Sequence, residues 1–283
     1  MLDRLGRWKI HVLETGDFRL DGGAMMGSVP RVLWSKTNPP DKLNRIDLSL
    51  RCLLLVDGDR KVLVETGMGN KFDEKFGDMF CIKQSDNPLT DSLEKIGYTT
   101  DDITDVVLTH LHFDHSGGAT AKNFKGEVVP MFEKATYHVS LSNWSAGMSP
   151  SPRDKASYLK INFEPLDKHG VLQLVSDNAE ILDGISTYSV NGHTTGQQLV
   201  KVSDKGETLV FCSDLIPLRS HLKLPWIMGY DLNAALSLTE KTKFLEQACA
   251  NDWWLFFYHD PKTVAVKIEK DEKYYKVKQQ VMR

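Results

Sequence analysis

The chain has 283 residues, 41% of them hydrophobic and 26% charged, with a formal charge of −3. This is ordinary globular composition with enough apolar residues for a large core, and it lacks the basic excess that neutralises phosphates, so nucleic acid is not an expected partner. Four cysteines, Cys52, Cys81, Cys212 and Cys249, fall without CxxC spacing, which argues against a zinc knuckle or a disulfide framework and for a reducing, cytoplasmic setting.

At the start of the chain, MLDRLGRWKIHVLETGDF mixes charges among its apolar residues and does not read as a signal peptide. No apolar run reaches the roughly 20 residues needed to cross a bilayer, so no membrane association is expected. Runs rich in β-branched and apolar residues predict strands at 8–15, 48–57, 61–67, 105–110, 135–140, 185–193, 197–203, 207–214 and 253–260. Helical spacing predicts helices at 89–96, after Gly118, at 153–159 and at 237–249. Strands and helices therefore alternate in both halves, which predicts sheets covered by helices. No Pro, Gly or Ser-rich linker divides the chain, so residues 1–283 are expected to form one domain. The charge-rich stretch 267–280 reads as a solvated surface strand or helix.

The densest chemical signal is Thr109-His-Leu-His-Phe-Asp-His-Ser-Gly-Gly118, directly after the strand at 105–110. In an extended chain alternate residues share a face, so His110 and His112 point together while Leu111 and Phe113 pack the other way. Asp114 and His115 can turn toward a neighbouring point, and the two glycines permit a sharp bend. Burying three imidazoles and a carboxylate side by side is costly without a cation among them. Imidazole and carboxylate suit zinc and its first-row neighbours.

This HxHxDH pattern resembles the signature of the metallo-β-lactamase superfamily, and the likeness continues in order along the chain. Asn191-Gly-His193-Thr-Thr-Gly196, Phe211-Cys-Ser-Asp214 and Phe257-Tyr-His259 look like that family's later ligand motifs. The resemblance implies an α+β fold, a four-layer αββα sandwich with its site at one edge of both sheets. It implies two divalent ions, with zinc expected and iron, manganese or cobalt sharing the ligand preference. His110, His112 and His193 would hold one; Asp114, His115 and His259 would hold the other; Asp214 would bridge them. Two positions depart from the usual pattern. Glu65 stands where the family has aspartate, and its carboxylate is expected to support a ligand histidine from behind. Ser213 stands where glycine is common, with little expected consequence.

Two ions so held would activate a bridging water as the nucleophile at neutral pH, and Asp114 is the expected proton shuttle. Strand alternation places Cys212 on the side of Asp214, as a weakly ligating thiol or, more commonly, a buried structural cysteine. Tyr258, next to His259 on an extended segment, is expected to point away from the ions. Tyr230 and His221 are the candidate substrate contacts, with ordinary loop packing as their alternative. Three loops carry apolar residues: 21–36 with Met25, Met26, Val29 and Trp34, 141–166 with Trp144, Met148 and Tyr158, and 225–228 with Trp226 and Met228. They are expected to wall a pocket for a small ester or lactone with an apolar portion, or to pack a homodimer. Asp214 together with Asp114 and His115 looks most like the lactonases, acyl-homoserine lactonases among them, and related ester or phosphotriester hydrolases. A glyoxalase-type thioesterase is the alternative, and a non-catalytic metal scaffold would be expected to have lost ligands.

Overall fold

In the computed structural model, which describes residues 2–272 and 274–283, the chain builds two seven-stranded sheets in succession. The first contains β1 (Arg4–Leu5), β2 (Trp8–Asp21), β3 (Arg45–Asp57), β4 (Arg60–Val64) and β5 (Asp105–Val107). After a small hairpin of β6 (Thr120–Lys122) and β7 (Val128–Pro130), it is completed by β8 (Thr136–Ser140) and β9 (Leu172–Val175). Strands β1 to β4 pair antiparallel, and β4, β5, β8 and β9 pair parallel. The second sheet runs in sequence order: β10 (Glu180–Leu182), β11 (Ile185–Val190), β12 (Gln197–Asp204), β13 (Glu207–Phe211), β14 (Trp254–Phe256), β15 (Thr263–Asp271) and β16 (Tyr274–Met282). Among the described residues its only parallel pair joins β13 to β14, across the helix Ala234–Ala250.

Side-chain alternation shows how the layers stack. Leu209 and Phe211 of β13 join the core shared with the first sheet, while Val210 and the adjoining Cys212 pack on the other face with Phe244, Leu245 and Ala248 of the helix. Asn233 caps that helix, its Oδ1 accepting from the Leu236 N–H at 3.0 Å. Burial of Phe244 and Leu245 contributes about 1.5–3 kcal/mol each to holding it on the sheet. On the first sheet, the helix Pro88–Glu94 packs against β2, and Ser92 Oγ donates to the Glu14 carbonyl at 3.0 Å. The outcome is the expected αββα sandwich.

Strand β3 is buried continuously from Leu48 to Leu55 and lies against the second sheet's site loop. Arg51, fully buried, donates from Nη1 to the carbonyls of Phe257, Asp260 and Thr263 at 2.8–3.1 Å, and its Nε pairs with Glu14 at 2.7 Å. This fixes the segment carrying His259 onto the opposite sheet.

Four expectations need correction, the first being the loop at 141–166, which instead holds the helices Leu141–Met148 and Glu164–Lys168 and buries Tyr158. The segment after Gly118 is a single 3-10 turn, Gly117–Ala119, leading into β6. A Cβ on Gly118 would stand 2.1 Å from the Thr66 carbonyl oxygen, so the glycine serves the close passage of two segments of the chain instead of helix entry. Residues 153–159 likewise form only the turn Lys155–Ser157. The segment 21–36 is not a long loop: it folds into helices Gly22–Met26 and Arg31–Trp34, which bury Met25, Met26 and Trp34 in the core and leave Val32 and Leu33 exposed. The stretch 267–280 falls in the hairpin of β15 and β16. Among the described residues no helix is long and apolar enough to cross a membrane.

Candidate metal centre

Strand β5 ends at Val107, sooner than the sequence suggests, because the next residues leave the sheet to build the site. His110 and His112 nevertheless converge, His112 opening the one-turn helix Phe113–Ser116 that carries Asp114 and His115. Both Thr66 N and Thr66 Oγ1 donate to the His115 carbonyl, at 3.1 and 2.9 Å, tying that turn to the end of β4. His193 sits on the turn between β11 and β12. A Cβ on Gly192 would lie 2.4 Å from Ser237 N, and Glu240 accepts from Asn191 N and Gly192 N at 2.8 and 3.0 Å. The helix Ala234–Ala250 therefore braces the His193 turn directly. Asp214 follows β13 and His259 follows β14, the parallel pair that delivers both to one edge.

All seven side chains expected as ligands meet there, and all are buried. One group joins His110, His112 and His193, and a second joins Asp114, His115 and His259. Asp214 lies between the groups. Its Oδ2 is 3.3 Å from His193 Nε2, while Oδ1 is 3.4 Å from His115 Nε2 and 3.3 Å from His259 Nε2.

Hydrogen bonding on the far side of each ring fixes what the near side offers. His259 Nδ1 donates to the Ser49 carbonyl at 3.0 Å, His193 Nδ1 donates to Asp231 Oδ1 at 2.9 Å, and His115 Nδ1 donates to Glu65 Oε1 at 3.2 Å. His110 Nδ1 faces Thr109 Oγ1 at 3.0 Å, a hydroxyl that itself donates to Glu65. Four rings thus turn an Nε2 lone pair inward. His112 turns Nδ1 inward instead, 3.1 Å from His110 Nε2 and 3.2 Å from His193 Nε2, and its own Nε2 is buried without a partner. His115 Nε2 and His259 Nε2 face each other at 3.3 Å. Lone pairs this close and this buried repel one another unless a cation lies among them, so the donor set fits divalent ions.

The local electrostatics agree. Burial alone would lower the His115 imidazole's affinity for a proton, yet Asp214, Asp114 and Glu65 outweigh it and raise its pKa well above the ordinary value. His110 and His112, buried and beside other imidazoles, are pushed well below theirs. Burial opposes ionisation of Asp214, but His115 and His259 hold its carboxyl well below the usual range. Positive charge is thus favoured beside Asp214, between the two groups of rings.

Glu65 occupies its expected place behind His115. Its φ of 67° turns the chain immediately after β4, and one oxygen takes both His115 Nδ1 and the Thr109 hydroxyl. Ser213 is less incidental than expected. It too has positive φ, 45°, which accounts for glycine's suitability there, and its hydroxyl joins Gln197 Nε2 at 3.0 Å to Thr109 Oγ1 at 2.7 Å. Cys212 is not a ligand: the chain leaves β13 at Phe211, and the thiol packs beneath the helix, where burial raises its pKa. Tyr258 stays out of the space between the candidate ligands but supports it, its ring tilted against His115 with centroids 4.5 Å apart and its hydroxyl donating to the Asp114 carbonyl. His221 is buried at 1% exposure with Nε2 bonded to the Met25 carbonyl at 3.0 Å, so it packs the loop and does not face a substrate. Tyr230 is 40% exposed, and burial with the charges of Asp21 and Asp114 pushes its hydroxyl up to about 12, keeping it a donor.

Several supports escaped the sequence. Asp231 holds His193. Asn143, fully buried, accepts from Leu111 N at 2.9 Å and donates to the Thr195 carbonyl at 2.7 Å and to Tyr158 Oη at 3.2 Å. Tyr158 lies edge-on to His112 with ring centroids 4.8 Å apart. Beside Asp114, Phe113 contacts Phe76 and Phe80 at 5.2 and 5.4 Å, and Phe72 extends this half-buried aromatic wall.

Comparison with known proteins bears on the same features. An N-acyl homoserine lactonase of Bacillus thuringiensis is 24% identical over 232 residues, covering 78% of this chain and 84% of the relative. A probable metal-dependent hydrolase from Staphylococcus aureus superposes with a TM-score of 0.91 at 29% identity, covering 99% of this chain and 98% of that one. A dizinc quorum-quenching lactonase superposes with a TM-score of 0.79 at 20% identity, covering 98% and 95%. Residues 48–259, which include every candidate ligand, match the model of the metallo-beta-lactamase superfamily, and the chain belongs to that family.

Proposed function

We propose that the chain is a two-metal hydrolase that opens a small ester or lactone with an apolar acyl portion, using zinc as its metal. His110, His112 and His193 hold one ion; Asp114, His115 and His259 hold the other; Asp214 joins the two sites. The observation that carries this reading is the division of the Asp214 carboxylate, one oxygen toward His193 and the other toward His115 and His259. When bound, the ions supply Lewis acidity and bring a water's pKa into the neutral range.

The chain's own groups do the rest. Asp114 turns Oδ2 toward His259 and His115, at 3.5 and 3.8 Å, which leaves Oδ1 to take a proton from the attacking water and pass it to the leaving oxygen. Tyr230, whose hydroxyl keeps its proton at neutral pH, is the proposed donor to the substrate carbonyl as charge develops. The wall of Phe72, Phe76, Phe80 and Phe113 offers an apolar surface beside Asp114 for the acyl part. The lactonase relatives favour the same substrate class. Exposed Val32 and Leu33 support self-association through the early segment, which sedimentation of the Leu33→Asp variant tests.

The deciding experiment is a hydrolysis panel on metal-reconstituted protein: acyl-homoserine lactones, aryl esters, S-lactoylglutathione, β-lactams and phosphotriesters. Preference for lactones or esters is expected. Preference for the glutathione thioester or a phosphotriester would replace the proposed substrate class, and inactivity with two ions bound would end the hydrolytic reading.

A further inference from the structure

A cavity of about 640 Å3 lies apart from the metal centre, lined by none of its side chains. Its size lies within the range of small-molecule sites, about 300–1,000 Å3. Ile46, Leu222 and Val277 give it apolar walls, whereas Arg219, Lys223 and Lys262 supply positive charge. The two carboxylates in the lining are already engaged. Asp260 accepts from the backbone N–H groups of Arg219, Lys262 and Thr263 at 2.6–3.0 Å, and Asp47 Oδ1 pairs with Arg19 Nε at 2.6 Å. Among the described residues no carboxylate lies within ion-pair distance of the Arg219 or Lys262 side chain, and Lys223 is occupied over the Trp226 ring at 4.3 Å. Ser220 Oγ, on the same wall, is buried without a hydrogen-bond partner.

In a chain of net negative charge, this is an apolar hollow with free cations at its rim. A bare inorganic anion would leave the apolar walls wet, and an uncharged apolar molecule would leave the cations unpaired. The complementary ligand carries both features. We propose that this cavity binds a medium-chain acyl carboxylate, its headgroup between Arg219 and Lys262 and its chain along Ile46, Leu222 and Val277. Arg219 follows Asp214 by five positions and Lys262 follows His259 by three, so the headgroup bridges the two segments that Asp260 already latches together. The site is independent of how the metal centre is used.

Calorimetric titration of the intact, metal-loaded protein with octanoate tests this, with octanol and inorganic phosphate as comparison probes. One octanoate per chain is expected, with octanol and phosphate each binding at least about tenfold more weakly. Lys262→Glu and Arg219→Glu should each weaken octanoate by about tenfold, since each turns an attraction into a repulsion, while leaving metal content and ester turnover unchanged. Val277→Trp, which fills the hollow, should remove binding by a route independent of charge; circular dichroism of all three variants establishes that they fold. The proposal is overturned if octanoate binding survives these substitutions but disappears on chelation, which places the carboxylate at the metals. It is equally overturned if octanol or phosphate binds as well as octanoate, if nothing binds, or if Lys262→Glu instead dissolves a dimer, which assigns the face to a second copy of the chain.

Discussion

Replacing Asn143 by alanine should damage one half of the metal centre more than the other. Its side chain is the shared anchor of the segment carrying His110 and His112, through Leu111 N, and of the His193 turn, through the Thr195 carbonyl. Alanine strands the Leu111 N–H where no water reaches, at a cost of about 1–3 kcal/mol. Thr195 is exposed and its carbonyl can be rehydrated, and Tyr158 keeps its 2.6 Å bond to Thr194 Oγ1, so these losses are smaller. With the small void added, the expected total is about 2–4 kcal/mol, a large fraction of a typical folding free energy. Urea unfolding of metal-free protein measures that part.

The second measurement separates a positioning role from a merely structural one. Elemental analysis after dialysis against chelators of graded strength should show the His110–His112–His193 ion weakened by about tenfold or more, with the Asp114–His115–His259 ion retained. Asn143→Asp keeps an acceptor for Leu111 N but sets a carboxylate against the Thr195 carbonyl, so it should restore part of the stability and little of the metal affinity. An alanine variant within about 0.5 kcal/mol of the parent, or one that releases both ions together, would refute the reasoning.

Three further outcomes are expected. Glu65→Asp should withdraw the carboxylate from His115 Nδ1 and lower affinity for the ion held by His115 by about 10- to 100-fold, read by competition with a chromogenic chelator; unchanged affinity would remove its supporting role. Asp114→Asn should lower turnover by about two to four orders of magnitude with both ions still bound, and near-normal turnover at full metal content would eliminate it as the proton carrier. His221 gives a pH signature. Burial and the charge of Lys241 push its pKa down to about 4 from 6.5, so below 6.5 the unfolded chain takes up a proton that the native one refuses. Its contribution to stability should therefore fall as pH drops from 6.5 to about 4, by about 3 kcal/mol in all, and His221→Gln should abolish that part of the acid dependence in parallel urea titrations.

Which features were legible beforehand follows from where their information lies. The candidate ligands were readable because His110, His112, Asp114 and His115 are crowded into six positions, and the later candidates sit at strand ends that hydrophobic runs mark clearly. Most strands of both sheets coincide with those runs, but β9, β10 and β15 do not, and the pairing of two sheets in one sandwich came from the family resemblance. Asp231 and Asn143 were not readable: each acts on a partner 32 to 52 positions away, through a contact that only the assembled layers create. The segment 21–36 misled for a related reason. Its Met and Trp residues suggested pocket walls, but whether an apolar side chain faces a pocket or the core depends on what packs over it.

The Glu65 substitution shows why departures from a family pattern need a structure to interpret. Taken alone, the extra methylene relative to aspartate puts the support of a ligand histidine in question. In place, Glu65 leaves β4 at φ 67° and reaches a single point where the His115 Nδ1–H and the Thr109 hydroxyl both donate to Oε1. The donated hydroxyl leaves Thr109 Oγ1 free to accept from His110 Nδ1 and from Ser213, whose own oxygen accepts from Gln197. One carboxylate thereby fixes the tautomer of two imidazoles in different halves of the centre. Glu65 and Ser213, where the resemblance led to the expectation of aspartate and glycine, both belong to that hydrogen-bond chain through Thr109, and each has a positive φ. A shortened Glu65 and a glycine at 213 should therefore behave non-additively: once the carboxylate no longer orders Thr109, the Ser213 hydroxyl has little left to orient. A double-mutant cycle on metal affinity should give a coupling of about 0.5–3 kcal/mol, and strict additivity would mean that the two substitutions act separately.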